Sequence, residues 1–321
     1  MRTNLANELA TKSPQQQPLK MHITIIGKTG QLARALSREC AQSGLTATPH
    51  GRSKLDLKSP PDLIEKYIDN LETDVIIIAA AYTAVDTAES EEEIALAINA
   101  LAPAAIARAC AKRDIALVHI STDYVFQGLS KTPYPVNAVP DPLNAYGRSK
   151  LAGETAVLDA HARTAVLRTS WVYDGIGKNF VTTMLKLGAE RDRINVVSDQ
   201  MGRPTFAGHL ARACLQIAQA LISDNSQKTR GYYHVTDSGP PISWACFATE
   251  IFTQTQETLG HKVHVDPIPS SAYPTAAKRP AYSALDLSRF EHRFGALPHW
   301  REGLEQSLKE WSATKNNNRP T

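Results

Sequence analysis

HITIIGKTGQLARAL, residues 22–36, is the stretch that decides the fold. HITII (22–26) is a short apolar run rich in β-branched side chains, the composition of a buried strand. A glycine turn, GKTGQLA (27–33), follows at once. In QLARALSRECAQSG (31–44) the apolar positions then recur at helical spacing until a glycine stops them. A strand, a glycine turn and a helix in direct succession make a phosphate cradle. Gly27 allows the tight turn, and Gly30 lets the backbone approach a pyrophosphate whose charge the helix N-terminus favours. Ala33 is small enough to pack the helix against the strand. The loop lacks the G-K-[ST] ending of a nucleoside-triphosphate site, so a dinucleotide is the expected ligand, lined also by Thr29, Gln31 and Leu32.

Strands and helices alternate onward from this unit. LTATPH (45–50), DVIIIAAA (74–81), IALVHIS (115–121) and TAVLRTS (164–170) read as further strands. EEEIALAINALAPAAIARACAKR (91–113), with a bend expected at Pro103, and YGRSKLAGETAVLDA (146–160) read as helices. Nearly continuous apolar strands between helices predict an α/β fold, a doubly wound parallel sheet covered on both faces. After Ser170 the strands shorten to INVVS (194–198), GYYHV (231–235) and VHVDPI (263–268). They are interleaved with the helices FAGHLARACLQIAQALI (206–222) and SWACFATEIFTQTQETLG (243–260). The expected organisation is a cofactor domain at 21–170 and a mainly substrate-binding smaller α/β region at 171–312, with segments returning to the sheet. Residues 1–20 and 313–321 read as disordered tails.

The bulk numbers narrow the function classes. The chain has 321 residues, 42% hydrophobic content and a net charge of +3. Its basic residues are scattered, so no nucleic-acid partner is expected. No apolar run reaches the ~18 residues of a membrane helix and no secretory signal is visible, so a cytoplasmic protein without a membrane partner is expected. Cys40, Cys110, Cys214 and Cys246 are spaced as separate core thiols, and the histidines form no H-E-x-x-H; no metal is expected. At the end of the second strand, where an acid would hold the ribose of NAD, stands His50-Gly51-Arg52-Ser53-Lys54. A cationic group with a hydroxyl suits a 2′-phosphate, so NADPH is the expected cofactor and NADH the alternative; Arg52, with Asp56 and Leu57 after it, is a candidate contact.

HISTDYVF (119–126) ends the fourth strand in hydroxyls and a carboxylate. Further on comes Tyr146-Gly147-Arg148-Ser149-Lys150, whose spacing sets Tyr146 and Lys150 one helical turn apart on one face. A nearby ammonium would lower the phenol pKa from its ordinary ~10 toward neutrality. Thr122 at the strand tip can hold the oxygen that Tyr146 protonates, and ligands of parallel sheets bind beyond such tips. A hydride-transfer site follows, with Thr122, Tyr146 and Lys150 as its catalytic residues.

These features together resemble the extended short-chain dehydrogenase/reductase superfamily, with its Rossmann-type sheet. GKTGQLA, AAAYTAVDTAE (79–89), ISTDYVFQG (120–128), NAYGRSKLAGE (144–154), LRTSWVYDGIGKNFVTTML (167–185), DQMGRPT (199–205) and RPAYSALD (279–286) resemble successive blocks of the dTDP-4-dehydrorhamnose reductase family. The resemblance implies reduction of dTDP-4-dehydro-L-rhamnose to dTDP-L-rhamnose with NADPH or NADH, for rhamnose-containing cell-surface polysaccharide such as lipopolysaccharide. It implies Tyr146 as general acid and Lys150 as its pKa-lowering partner, with Thr122 and Asp123 near the sugar carbonyl. It implies Trp171 and Asn179 on the sugar side, and Ala79, Ala80 and Tyr82 against the cofactor. Arg203 and Arg279 become candidates for the diphosphate, since a guanidinium matches phosphate oxygens bidentately. Some members place a glutamate in the first helix for a magnesium-bridged dimer; Ala35 stands here, so a metal-linked dimer is not expected and a homodimer is left open. Two other readings share the scaffold. One is a cofactor-binding regulatory subunit resembling that of methionine adenosyltransferase, against which the intact Thr122–Tyr146–Lys150 set speaks. The other is an epimerase or dehydratase.

Overall fold

The computed structural model describes residues 21–223 and 228–317; the expected tail at 1–20 lies outside the described residues. In chain order the elements begin β1 (His22–Ile26), α1 (Gln31–Gln42), β2 (Thr46–His50), α2 (Pro61–Asp69), β3 (Val75–Ile78), α3 (Glu92–Leu96) and α4 (Ala102–Arg113). There follow β4 (Ala116–Thr122), α5 (Ala145–Ala160), β5 (Thr164–Thr169), β6 (Val172–Tyr173), α6 (Phe180–Glu190), β7 (Arg193–Val197), β8 (Met201–Gly202) and β9 (Thr205–Phe206). The chain continues with α7 (Ala207–Ser223), β10 (Gly231–His234), β11 (Ile242–Ser243), α8 (Trp244–Leu259), β12 (His264–Ile268), α9 (Ser288–Phe294) and α10 (Trp300–Asn317). The last helix continues past residue 312, where the sequence reading ended the folded chain; residues 318–321 lie outside the described residues.

Six strands form one parallel sheet in the order β10-β5-β4-β3-β1-β2. The chain runs outward from β1 to β2, then crosses back to β3 on the other side of β1. That reversal opens a crevice beyond the carboxyl ends of β1 and β3, where open α/β sheets bind ligands. β10 comes from the second half of the chain and pairs with β5, so this half does return to the sheet.

The sheet is buried on both faces, which is why its strands read as unbroken apolar runs. One face, with Ile23, Ile25, Val75, Ile77, Val118 and Leu167, packs on α1 and α7. The other, with Ile26, Ile76, Ile78, Leu117 and Val166, packs on α2, α4 and α5. A third core, built around Tyr173, Phe206, Phe247, Ile251 and Trp300, belongs to the second region.

The helix expected over 91–113 departs from regularity upstream of Pro103. Ala97–Leu101 forms a π-helical turn between α3 and α4, and Pro103 sits in the first turn of α4. By length and hydropathy Glu92–Arg113 could span a membrane, which the sequence reading had not found. Instead its apolar stretch is mostly buried within this fold, packed between α2 and α5.

Candidate active site

Strand tips and one helix build the site. Gly27 leaves β1 with φ 129°, which L side chains rarely adopt, and its amide donates to the His50 carbonyl at 2.8 Å. A Cβ there would lie 3.3 Å from the Ala80 nitrogen, so the loop must run close to the tip of β3. Ala79 and Ala80 both donate to the Ile26 carbonyl, at 3.0 and 2.8 Å. Gly30 is the N-cap of α1 and no side chain caps the helix; a Cβ on Gly30 would meet nothing within 4 Å. The start of α1 therefore offers free N–H groups to open space, a fit for a dinucleotide pyrophosphate. Gln31 donates to the Val172 carbonyl at 3.3 Å, and its Oε1 is buried without a partner. Leu32 and Leu57 are core side chains, in the clusters on opposite sheet faces, so a cofactor could meet them only through their backbone.

Arg52 stands past β2 with 75% of its side chain exposed, its only ion pair among the described residues a 3.9 Å approach to Asp56. Asp56 accepts from the Lys58 amide. The Arg52 guanidinium is therefore free to turn toward a phosphate.

The catalytic candidates converge at the end of β4. The Thr122 hydroxyl donates to Asp123 Oδ1 at 3.0 Å and accepts from the Tyr124 amide at 3.2 Å, and the Tyr146 ring packs edge-on against Tyr124. Asp123 is 2% exposed, and burial raises its carboxyl to about 6, opposed by the nearby hydroxyls of Ser283 and Thr122. Asn144 caps α5, accepting from the Gly147 amide at 2.8 Å, and so fixes the turn that carries Tyr146. Lys150 is 2% exposed and donates to the Ile120 carbonyl at 2.7 Å.

The expected pKa direction at Tyr146 needs correction. The phenol is pushed up to about 12, chiefly by burial, with the Asp123 charge adding to the rise and the Thr122 hydroxyl opposing it. Lys150 is itself pulled down to about 8 by burial and is bonded to a carbonyl. Desolvation of the phenolate dominates. Tyr146 thus keeps its proton across the neutral range, as an acid must.

Sequence reasoning missed the residue that ties these parts together. Asn99, 1% exposed in the π turn, accepts from the Tyr82 amide at 2.9 Å and donates to the Tyr82 carbonyl and to Ser149 Oγ, at 3.1 and 3.0 Å. Ser149 Oγ donates to the Tyr146 carbonyl at 2.8 Å. One amide side chain therefore registers the loop after β3 against the helix of Tyr146 and Lys150. Its one sequence signal was a polar residue inside the apolar run AINALA.

The remaining candidates separate. Trp171, just past β5, has φ 48° and stacks on Trp244 with ring centroids 3.4 Å apart; Gly202 packs against its indole. Trp244, unremarked in the sequence, makes the aromatic wall double. Asn179 is the N-cap of α6, accepting from Thr182 and donating to Asp174, so its amide is engaged in holding that turn. Arg203 donates to the Leu285 carbonyl at 2.7 Å and lines a cavity of about 540 Å³ with Thr132, Asp286 and Glu291. Arg279 pairs with Asp86 at 2.7 Å and so pins the 277–279 segment to the loop after β3. Among the described residues no group of three or more His, Cys, Asp or Glu side chains could hold a metal ion.

The family model described as RmlD substrate binding domain matches residues 21–313. The chain belongs to that family. It is 41% identical over 287 residues to a dTDP-4-dehydrorhamnose reductase of Sinorhizobium fredii, covering 89% of this chain and 96% of the relative. It is 38% identical over 300 residues to one of Salmonella typhimurium, covering 92% and 99%. The crystal structure of a dTDP-4-dehydrorhamnose reductase from Bacillus anthracis, in complex with NADP, superposes with a TM-score of 0.83 at 35% identity, covering 91% of this chain and all of that one.

Proposed function

We propose that this protein reduces dTDP-4-dehydro-L-rhamnose to dTDP-L-rhamnose with NADPH, a step toward rhamnose-containing cell-surface polysaccharide. The observation that carries the reading is the Thr122–Asp123 pair at the tip of β4 with Tyr146 edge-on to the adjoining Tyr124, at the same carboxyl edge of the parallel sheet as the open start of α1. Gly27, Gly30, Ala79 and Ala80 would hold the dinucleotide, and Arg52 its 2′-phosphate. The bound reduced nicotinamide supplies the hydride that converts the carbonyl carbon to an alcohol. Tyr146 delivers the proton. A phenol held at about 12 is still a stronger acid than a sugar alcohol, so transfer to the forming alkoxide runs downhill. Thr122 donates to the same oxygen once its proton leaves Asp123, placing a dipole where charge develops. Asp123 serves as an acceptor for a sugar hydroxyl; as an anion it would repel the alkoxide. Lys150, fixed by the Ile120 carbonyl, presents its charge to ribose hydroxyls, and Trp171 backed by Trp244 offers an apolar face to the sugar.

The test is oxidation of NADPH and of NADH by the purified protein with dTDP-4-dehydrorhamnose, set against other keto-sugar nucleotides. Turnover with the named sugar and a preference for NADPH are expected. A charge-assisted phosphate contact contributes roughly 1.5–3 kcal/mol, or about 10- to 150-fold, so Arg52→Ala should erode that preference and leave NADH kinetics unchanged. Equal losses with both cofactors would reject the 2′-phosphate role of Arg52, and no turnover with the named sugar would reject the substrate.

A further inference from the structure

Arg34 lies outside the catalytic set, on the face of α1 turned toward the second region. Its guanidinium donates to the Thr29 carbonyl inside the phosphate loop, to Asp174 Oδ2 at 2.6 Å and to the Ile176 carbonyl at 2.8 Å. Asp174 is fully buried and is held from its other side by Asn179 and the Ile176 amide, each at 3.0 Å on Oδ1. Gln31, one helical turn earlier, holds the Val172 carbonyl. Two donors from the first turns of α1 thus grip the segment 172–176. The same segment is clamped from behind: Gly175 donates to Glu310 Oε2 at 3.0 Å, and Glu310 Oε1 accepts from Arg38 at 2.7 Å. There is no slack on that side, because a Cβ on Gly175 would lie 2.2 Å from the Ser307 carbonyl.

The segment begins next to Trp171, the residue with φ 48° whose indole stacks on Trp244 and closely approaches Gly202. A rigid path therefore runs from Thr29 through Arg34 and Asp174 to the aromatic wall of the sugar side. The guanidinium can hold three acceptors in fixed directions because its donors form a planar fork; an ammonium cannot.

We propose that Arg34 is a positioning residue that couples the dinucleotide phosphate loop to the 172–176 turn, so that ordering of the loop by the cofactor sets the aromatic wall for the sugar. The proposal rests on the dinucleotide reading of the loop, and its test is chosen to need no sugar. Hydrogen–deuterium exchange is followed by mass spectrometry in wild type, Arg34→Met and Arg34→Lys, with and without NADP. In wild type NADP should slow exchange in peptides covering both the loop (27–33) and the turn (172–177), each by at least ~5-fold, the lower end of ordinary site-to-site coupling. In Arg34→Met the loop should still be protected and the turn should lose its response. Arg34→Lys keeps a charge beside Asp174, and so the fold, but should transmit no more than part of the effect.

Thermal melting and circular dichroism separate a misfolded Arg34→Met from an uncoupled one, and Arg34→Lys carries the test if the former does not fold. An unchanged turn response in a folded variant, or a wild-type turn that ignores NADP while the loop is protected, would overturn the coupling. Loss of protection at both sites in wild type would overturn the cofactor reading with it. Protection at both sites without turnover of dTDP-4-dehydrorhamnose would leave the coupling standing and reject only the substrate.

Discussion

Gly153→Ala puts the geometry of the site under direct load. Gly153 lies on α5, one turn beyond Ser149 and Lys150, where the helix crosses the π turn. A Cβ there would stand 2.0 Å from the Asn99 carbonyl oxygen and 3.1 Å from its carbon. Carbon and carbonyl oxygen approach no closer than ~3.3 Å in ordinary contacts, so the elements must part by roughly 1 Å. The atom that blocks the methyl is backbone, within a turn whose Asn99 side chain is bonded to Tyr82 and Ser149, so it cannot rotate away. At an open helical site the same substitution would stabilise the protein by roughly 0.5–1 kcal/mol. Overpacking instead costs typically ~1–3 kcal/mol, so the sign of the stability change reports the contact. Displacement of the helix by ~1 Å would also move Tyr146 and Lys150 off the strand tip, for which ~10²-fold in turnover is the expected loss. Thermal melting and steady-state kinetics on one preparation give both numbers. A Gly153→Ala protein that melts higher than wild type and turns over normally would refute the close crossing of α5 and the π turn, and with it the role of Asn99 as their register.

Two further outcomes follow from the strand tip. Thr122→Val removes a donor aimed at developing charge and should lower kcat by ~10²–10³, whereas Asp123→Asn should mainly raise KM for the sugar; steady-state kinetics at saturating NADPH checks both, and the reverse pattern would make the carboxylate the catalytic group. The dependence of kcat/KM on pH should be a bell, because Asp123 gains its charge above about 6 and Lys150 loses its charge above about 8; a profile flat from pH 5 to pH 9 would detach both groups from the reaction, since kcat/KM reports the ionisation of the free enzyme.

Much of this was legible in the sequence for physical reasons that also mark its limits. β1, β3, β4 and β5 are buried on both faces, so their β-branched runs needed no context, and Gly27 marks the turn by its backbone freedom. α2 was missed because its nine residues, opened by prolines, span too few turns to show a period. The π turn was invisible because AINAL is apolar on nearly every side, so a slipped register leaves the same pattern. A sequence shows a residue's chemistry but not its partner. Arg203, Arg279 and Asn179 read as ligands for phosphate or sugar, yet they are engaged with Leu285, Asp86 and a helix start. The phenol pKa went the wrong way for the same reason: the spacing of Tyr146 and Lys150 was visible, and the burial that dominates it was not.

The central claim is that Tyr146, held protonated at the tip of β4, gives its proton to the sugar oxygen. Tyr146→Phe keeps the ring that packs edge-on against Tyr124 and removes only the hydroxyl. The decisive measurement is NADPH oxidation by Tyr146→Phe with dTDP-4-dehydrorhamnose, together with NADP affinity. Turnover should fall by ~10²–10⁴-fold, the ordinary contribution of general acid catalysis, with NADP affinity nearly unchanged. A Tyr146→Phe protein that turns over like wild type would contradict the account.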